Sequence, residues 1–388
     1  MSKAVFLDYI EKYDVEEIQT SISEALDILR LNDIFRPKMK VLVKACLPES
    51  ISQDMAKTTH PAVITALVKV LTEKGVSCVV ADSPYKKYST HALDELYLNT
   101  GMLEVANLTT CELNHNLATT RVNIPNGKRA KSLQLLDIIN HVDLIINVGK
   151  IKIDSSLGYC GACQNIFGLI PGEMKTLIKN RQIDIEDYND YIIDMLEAMK
   201  DKLVLNVLDG IVALEAENTP RMLSCIGLSA DPYALDASIL DILNINHNDT
   251  ILKQAENRGL CDIDKPYRLV GEKIEKFEVV DFALNEFDTH NLLEPKAIRD
   301  RYFNANQRRV KINRKVCKGC GVCSKICPTG AIMMKTDKDG ELYAEINYDK
   351  CIFCYKCHTA CPYEKVDMIT PAGYKRLEKE INKYNEKE

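Results

Sequence analysis

The chain has 388 residues, of which 46% are hydrophobic and 27% charged, a mixture that supports a sizeable folded core and excludes a disordered tail protein. Its 50 Lys plus Arg against 56 Asp plus Glu give a net charge of −6, without a basic run to follow a phosphate backbone, so nucleic acid is not an expected partner. No stretch approaches the ~18 consecutive apolar residues of a spanning helix, and charges interrupt the apolar residues of positions 1–14, so the expectation is a water-soluble, cytoplasmic protein that does not associate with membranes.

Over roughly the first 300 residues, apolar runs alternate with helical patterns, the signature of an α/β fold with a mainly parallel sheet. Residues 40–44 read as a short buried strand. Thr59, His60 and Pro61 then open a helix, with Thr59 offering a capping hydroxyl ahead of a proline near the first turn. His60 suits either helix capping or a site at the sheet's end. Gly75 stops that helix, residues 77–81 form the next strand, and Asp82, Ser83 and Pro84 break the chain at its carboxyl end, where ligands collect in open α/β sheets. A further strand at 143–148 leads into residues 149–172, which hold five glycines in 24 residues, against 17 in 388 overall. Such density lets backbone turn sharply or approach a ligand closely, which makes this a candidate binding loop; a turn-rich connection with solvated lysines is the other reading.

The loop offers Lys150, Lys152, Asp154, Cys160, Cys163 and Asn165 as polar groups that could face a substrate. Cys160 and Cys163 form a CxxC, which suits a redox dithiol, a ligand pair or two small buried residues. Asp209 closes an apolar strand at 203–208, and a carboxylate there is a site candidate. Asp231 followed by Pro232 opens another helix as its cap. Cys46, Cys78, Cys111, Cys225 and Cys261 are scattered and read as core. GxGxxG, GxxxxGK[ST], GxSxG and paired zinc-hydrolase histidines are absent, so the usual dinucleotide, P-loop and hydrolase readings have no support.

A reducing compartment keeps thiols free, so 15 cysteines point to metal binding or redox chemistry rather than disulfides. Eight of them repeat one pattern, CxxCxxCxxxCP, as Cys317, Cys320, Cys323, Cys327 and then Cys351, Cys354, Cys357, Cys361. That spacing brings three thiolates onto one loop around an iron–sulfide cube, whereas zinc sites usually separate two CxxC pairs by a longer loop. Residues 306–370 resemble bacterial two-cluster ferredoxins, in which the fourth cysteine of each run ligates the other cluster. The resemblance implies two [4Fe–4S] clusters, one on Cys317, Cys320, Cys323 and Cys361, the other on Cys351, Cys354, Cys357 and Cys327. Val316, Val322, Ile326, Ile332, Ile352 and Phe353 are expected to shield them from water. His358 either donates to cluster sulfur or is an exposed loop histidine. After the second CysPro the chain reads Tyr363, Glu364, Lys365, Val366 where the first copy has Thr329, Gly330, Ala331, Ile332, so the two clusters need not share a potential. The segment holds 12 Lys plus Arg and 7 Asp plus Glu. With two clusters of about −2 each it would be near neutral, unlike strongly acidic free-standing carriers, and reads as a built-in relay. The final residues, 371–388, read as a charged helical tail.

Thr59 to Pro61, Asp82 to Pro84, the glycine-rich loop, Asp209 with Gly210, and Asp231 through Asp236 together resemble the family known as domain of unknown function 362, over about residues 38 to 245. Where that family typically has Lys-Thr-His after the strand, this chain has Lys152, Ile153, Asp154. Where the family has Gly-Ala-Leu-Lys-Asn-Leu-Phe-Gly, it has Gly161, Ala162, Cys163, Gln164, Asn165, Ile166, Phe167, Gly168. A histidine and a lysine of the family pattern are thus missing. The resemblance implies a fold and a redox association without supplying a substrate.

The expected organisation is an α/β domain over 1–305, an α+β two-cluster ferredoxin-like domain over 306–370 and the tail. The expected function is iron–sulfur electron transfer, with an oxidoreductase favoured that relays single electrons to a substrate on the α/β domain. Lys152, Asp154, Asp82 and Asp209 are the catalytic candidates, and Lys44, Ser83 and Lys150 the binding ones. The expected partners are a low-potential electron donor or acceptor protein and a small-molecule substrate, and air-sensitive clusters point to an anaerobe. A non-enzymatic carrier or a docking subunit of a larger redox complex is the alternative.

Overall fold

The computed structural model describes residues 3–85, 88–154, 157–172, 174–175, 178, 185–216, 219–277, 279, 282, 309–314, 316–327, 329–348, 350–351 and 356–369. Cys354, Ile352, Phe353 and the tail therefore lie outside the described residues.

Alternating burial builds the first part of the chain. Along β2 (Lys40–Lys44), Val41 and Val43 enter one apolar core while Leu42 enters another on the opposite face; β1 (Ala4–Tyr9) divides the same way, with Ala4 and Phe6 on one face and Val5 and Leu7 on the other. A sheet buried on both faces needs helices on both. Helices α1 (Val15–Ile28) and α2 (Pro61–Glu73) cover one side, and the helices Ile185–Met199 and Pro232–Ile242 the other.

The strands are β3 (Ser77–Ala81), β4 (Glu112–Leu113), β7 (Leu144–Asp154), β8 (Gly158–Cys160), β9 (Leu203–Leu214), β10 (Pro220–Ser229) and β11 (Arg268–Gly271), with β5 (Thr119–Asn123) and β6 (Ser132–Leu136) forming a separate antiparallel ribbon. The main sheet runs β11-β1-β10-β9-β7-β2-β3-β4, with β8 on β7. β9, β7, β2, β3 and β4 are mutually parallel, while β10 is antiparallel to both β9 and β1. The fold is α/β with a mainly parallel sheet. From β2 the chain adds β3 and β4 on one side, then returns to place β7 on the other, so β2 and β7 flank the point where strand order reverses, the usual place for a ligand crevice.

Three local expectations change. Thr59 does not cap α2: its hydroxyl accepts from Cys46 N (2.9 Å) and donates to Val148 O (2.9 Å), tying β2's end to β7, and His60 is the cap, its Nδ1 accepting from Ala62 N. The strand leading into the glycine-rich stretch does not stop at 148 but runs to Asp154. Likewise Asp209 does not close its strand, which continues to Leu214.

The carboxyl-terminal elements are β12 (Arg309–Ile312) antiparallel to β15 (Val366–Ile369), β13 (Ile332–Thr336) antiparallel to β14 (Leu342–Ile346), and the short helices Val322–Ile326 and Lys356–Thr359. Among the described residues no helix is long and apolar enough to cross a membrane.

Candidate functional site

A cavity of about 390 Å³ opens at the carboxyl ends of β2, β3 and β7. Lys44 ends β2, Asp82 follows β3, and Lys150, Lys152 and Asp154 alternate along β7, so the period of two puts all three on one side of that strand. All five line the cavity, with Cys46, Tyr85, Cys160, Asn165, Phe167 and Lys175.

Lys44 is fully buried. Its Nζ donates to Ala45 O (2.6 Å) and Asn165 Oδ1 (3.0 Å) and lies 3.4 Å from Asp82 Oδ1. Asp82 also accepts from Ser83 N (2.7 Å) and Leu47 N, and Lys175 Nζ approaches it at 3.8 Å. Two buried ammonium groups thus share one carboxylate. Burial holds both lysines below their ordinary pKa despite Asp82's attraction, Lys175 at about 8. Lys152 is half-buried, its Nζ 3.5 Å from Cys46 Sγ; burial pulls its pKa down, but Cys46, Cys160 and Asp154 outweigh that and leave it raised.

Two other candidates lie behind this wall. Asp209 is fully buried within β9 and accepts from Lys150 Nζ, Tyr13 OH and His60 N, each at 2.9 Å. Burial lowers the pKa of Lys150 against the pull of Asp209. Ser83 is also fully buried; its Oγ accepts from Gly172 N (2.6 Å) and its carbonyl from Lys175. Both support the lysines rather than facing the cavity.

The loop that closes the site is pinned from the far side. Asp236 accepts from Tyr159 OH (2.9 Å), Ala162 N (2.7 Å) and Cys163 N (2.9 Å), while Asn147 and Asn165 link β7 to the turn through Asn165 Nδ2 to Asn147 Oδ1 (2.8 Å) and Asn147 Nδ2 to Ala162 O (2.8 Å). The CxxC is divided by this arrangement: Cys160 lines the cavity, whereas Cys163 is fully buried beside Asp236. Asp231 caps its helix, accepting from Tyr233 N and Ala234 N.

Sequence reasoning missed Lys175, Cys46 and Tyr85. Cys46 had the look of a core residue and is indeed buried, yet it borders the cavity. Lys175 follows the glycine-rich stretch, and only the fold brings it beside Lys44.

In the cysteine-rich segment, Cys317, Cys320, Cys323 and Cys361 line one small cavity, with Ile312, Ala344 and Val366 as its apolar wall. Cys327, Cys351 and Cys357 are buried in the adjoining apolar cluster with Val310, Ala331 and Ile332. Backbone N–H groups already point at sulfur, Ala331 N to Cys327 Sγ (3.2 Å) and Lys365 N to Cys361 Sγ (3.3 Å). One expectation fails here: Val316, Val322 and Ile326 are exposed rather than shielding, and in the helix Val322–Ile326 it is Cys323 that turns inward while Val322 and Ile326 stay outside. His358 is half-buried, with its Nδ1 against Val366 O.

The family described as Domain of unknown function (DUF362) matches residues 41–241, and a 4Fe-4S dicluster domain matches residues 316–365. The thylakoid-associated protein sll1697 of Synechocystis is 26% identical over 253 residues, 63% of this chain and 76% of that protein. A probable iron-sulfur protein of the Frd operon of Proteus vulgaris is 34% identical over 64 residues, and a component of the anaerobic dimethyl sulfoxide reductase of Haemophilus influenzae is 44% identical over 60. These matches take in 16% and 15% of this chain and only 38% and 27% of those two proteins. The chain carries a 4Fe-4S domain and with it an iron–sulfur electron-transfer role. The residues present suit such a group: among the described residues the cavity lining supplies soft thiol donors with an apolar wall and no carboxylate or imidazole to favour a harder ion.

Proposed function

Starting from the fact that the chain belongs to the DUF362 family and joins it to a 4Fe-4S dicluster domain, we propose that it is an oxidoreductase in which two [4Fe–4S] clusters relay single electrons to a substrate held in the lysine-lined cavity. Cys317, Cys320, Cys323 and Cys361 hold one cluster; Cys327, Cys351, Cys354 and Cys357 hold the other. The clusters supply one-electron storage and transfer, and the protein supplies position and charge. Lys152 and Asp154 face the substrate as proton-transfer candidates, Lys44 and Asp82 bind it, Lys150 stands in the cavity wall paired with Asp209, and Ser83 holds Lys175 through its carbonyl.

The observation that carries this reading is the convergence of Lys44, Asp82, Lys150, Lys152 and Asp154 from three different strand ends onto one cavity, in a chain that also has an electron-carrying domain. The likeness of residues 316–365 to iron–sulfur components of redox complexes, an anaerobic reductase among them, supports a redox protein as electron donor and an anaerobic setting. Cys320 is exposed, which agrees with a cluster edge open to a partner and to damage by oxygen.

The test is anaerobic reoxidation of dithionite-reduced protein. The expected result is reoxidation by a component of low-molecular-weight cell extract, with the rate lost in Lys152→Ala and Asp82→Asn. Reoxidation by added protein alone would contradict the enzyme and favour an electron carrier or docking subunit.

A further inference from the structure

We propose that the cavity is built for a small organic oxyanion: a carboxylate or phosphate group seated among Lys44, Lys152 and Lys175, with an apolar body against Tyr85, Leu157 and Phe167. This names the substrate class for the reading above and rests on that reading only for its catalytic meaning.

The charge distribution is the first ground. Among the described residues five lysines border the cavity and no arginine does, against Glu49, Asp82 and Asp154 as the acids in its wall. Lys150 is committed to Asp209 at 2.9 Å, and Lys57 lies 3.8 Å from Glu49. That leaves Lys44, Lys152 and Lys175 facing Asp82 and Asp154. Lys44 and Lys175 are both fully buried and share the single carboxylate of Asp82 at 3.4 and 3.8 Å. A buried cation without a full counter-charge is strongly unfavourable, and an anion entering the cavity supplies the missing charge.

The second ground is the shape and chemistry of the remaining wall. Tyr85, Leu157, Phe167, Tyr188 and Leu214 give the cavity an apolar side, and Lys175 Nζ stands over the Tyr85 ring at 5.2 Å, so the cationic end grades directly into the aromatic one. At about 390 Å³ the space lies in the range of small-molecule sites. A bare inorganic ion would leave the apolar side unfilled. Lys44 and Lys175 are also rigidly placed, by Asn165 and Ala45 on one side and the Ser83 carbonyl on the other, which suits a preformed subsite.

The experiment uses the full-length, cluster-loaded chain in its oxidised state with no electron donor, and calorimetric titration with three probes of similar body: benzoate, phenyl phosphate and benzyl alcohol. Binding of either anion with no binding of benzyl alcohol is expected; benzoate alone identifies a carboxylate site and phenyl phosphate alone a phosphate site. Lys152→Gln, a change at a half-buried position that leaves the Lys44–Asp82 pair in place, is expected to weaken the bound anion about tenfold or more, the effect of one charge-assisted hydrogen bond. Equal binding of benzyl alcohol, binding of none of the three, or anion affinity unchanged in Lys152→Gln overturns the proposal. The outcomes separate from those of the relay: anion binding without substrate-dependent reoxidation defeats the relay alone, and reoxidation without anion preference defeats this assignment alone.

Discussion

Gly168 stands where the Lys44–Asp82 pair crosses the loop backbone: a Cβ at this position would overlap Asp82 Oδ1 and both Cε and Nζ of Lys44. The ion pair is fully buried and cannot swing into solvent, so Gly168→Ala is expected to displace it. The predicted cost is about 1–3 kcal/mol in urea unfolding, typical of overpacking, together with loss of cavity ligand binding; an unchanged midpoint and unchanged binding would show that the pair is free to move. His60 sets a pH dependence. Burial holds its pKa at about 4, against the attraction of Asp209, where the unfolded chain has 6.5. A neutral ring agrees with Nδ1 accepting from Ala62 N and with its stacking on Tyr13 at 3.6 Å. Because the unfolded chain takes up the proton first as pH falls, stability that is intact above about pH 6.5 is lost progressively toward pH 4. His60→Asn keeps a cap but cannot titrate, and its stability is predicted to fall less over that window than the native chain's, by about 1–3 kcal/mol. Parallel pH profiles by urea unfolding would refute the assignment.

At the scale of elements, one carboxylate gathers three donors of the turn between β8 and the helix that follows, beside the link from Asn147 to Ala162 O. Asp236→Ala leaves Tyr159 OH, Ala162 N and Cys163 N, all buried, without their acceptor. A loss of about 2–4 kcal/mol is predicted, with the cavity loop made susceptible to limited proteolysis; native stability in this variant would mean that the turn is held elsewhere. The strands show what was readable and what was not. Residues 40–44 and 77–81 could be read because a short apolar run, a helix opened ahead of Pro61 and a terminating Gly75 are all local signals, and the structure keeps those bounds. β7 and β9 outrun their expected ends because glycine and aspartate signal a break, whereas here tertiary packing overrides them. Gly149 takes the side chain of Leu208 against its backbone and Gly210 that of Ile151, each strand's glycine making room for the other's large residue. Asp209 can remain in mid-strand because Lys150, Tyr13 and the His60 amide converge on it from three separate segments. No window of sequence contains that information. The same holds for Lys175 and Cys46, which the fold alone brings to the cavity, while Lys44, Asp82, Lys150, Lys152 and Asp154 were accessible through the rule that ligands gather at strand carboxyl ends.

For the whole molecule, the 4Fe-4S domain was the most legible feature, because its signature is cysteine spacing a few residues long, whereas the proposed crossing of the fourth ligand depends on the fold. The structure gathers Cys361 with Cys317, Cys320 and Cys323 about one cavity despite the sequence distance. If the two clusters are ligated crosswise, Cys361→Ser damages one and spares the other, so bound iron is predicted to fall from about eight to about four per chain. Loss of all iron would instead indicate a single cooperative site. The account as a whole rests on two four-iron clusters in one chain, and the most direct measurement is iron and acid-labile sulfide in protein reconstituted under argon, paired with electron paramagnetic resonance after dithionite reduction. About eight of each per chain, with a spectrum showing two interacting reduced clusters, is the predicted result. Four or fewer irons, or no paramagnetic signal on reduction, would contradict it.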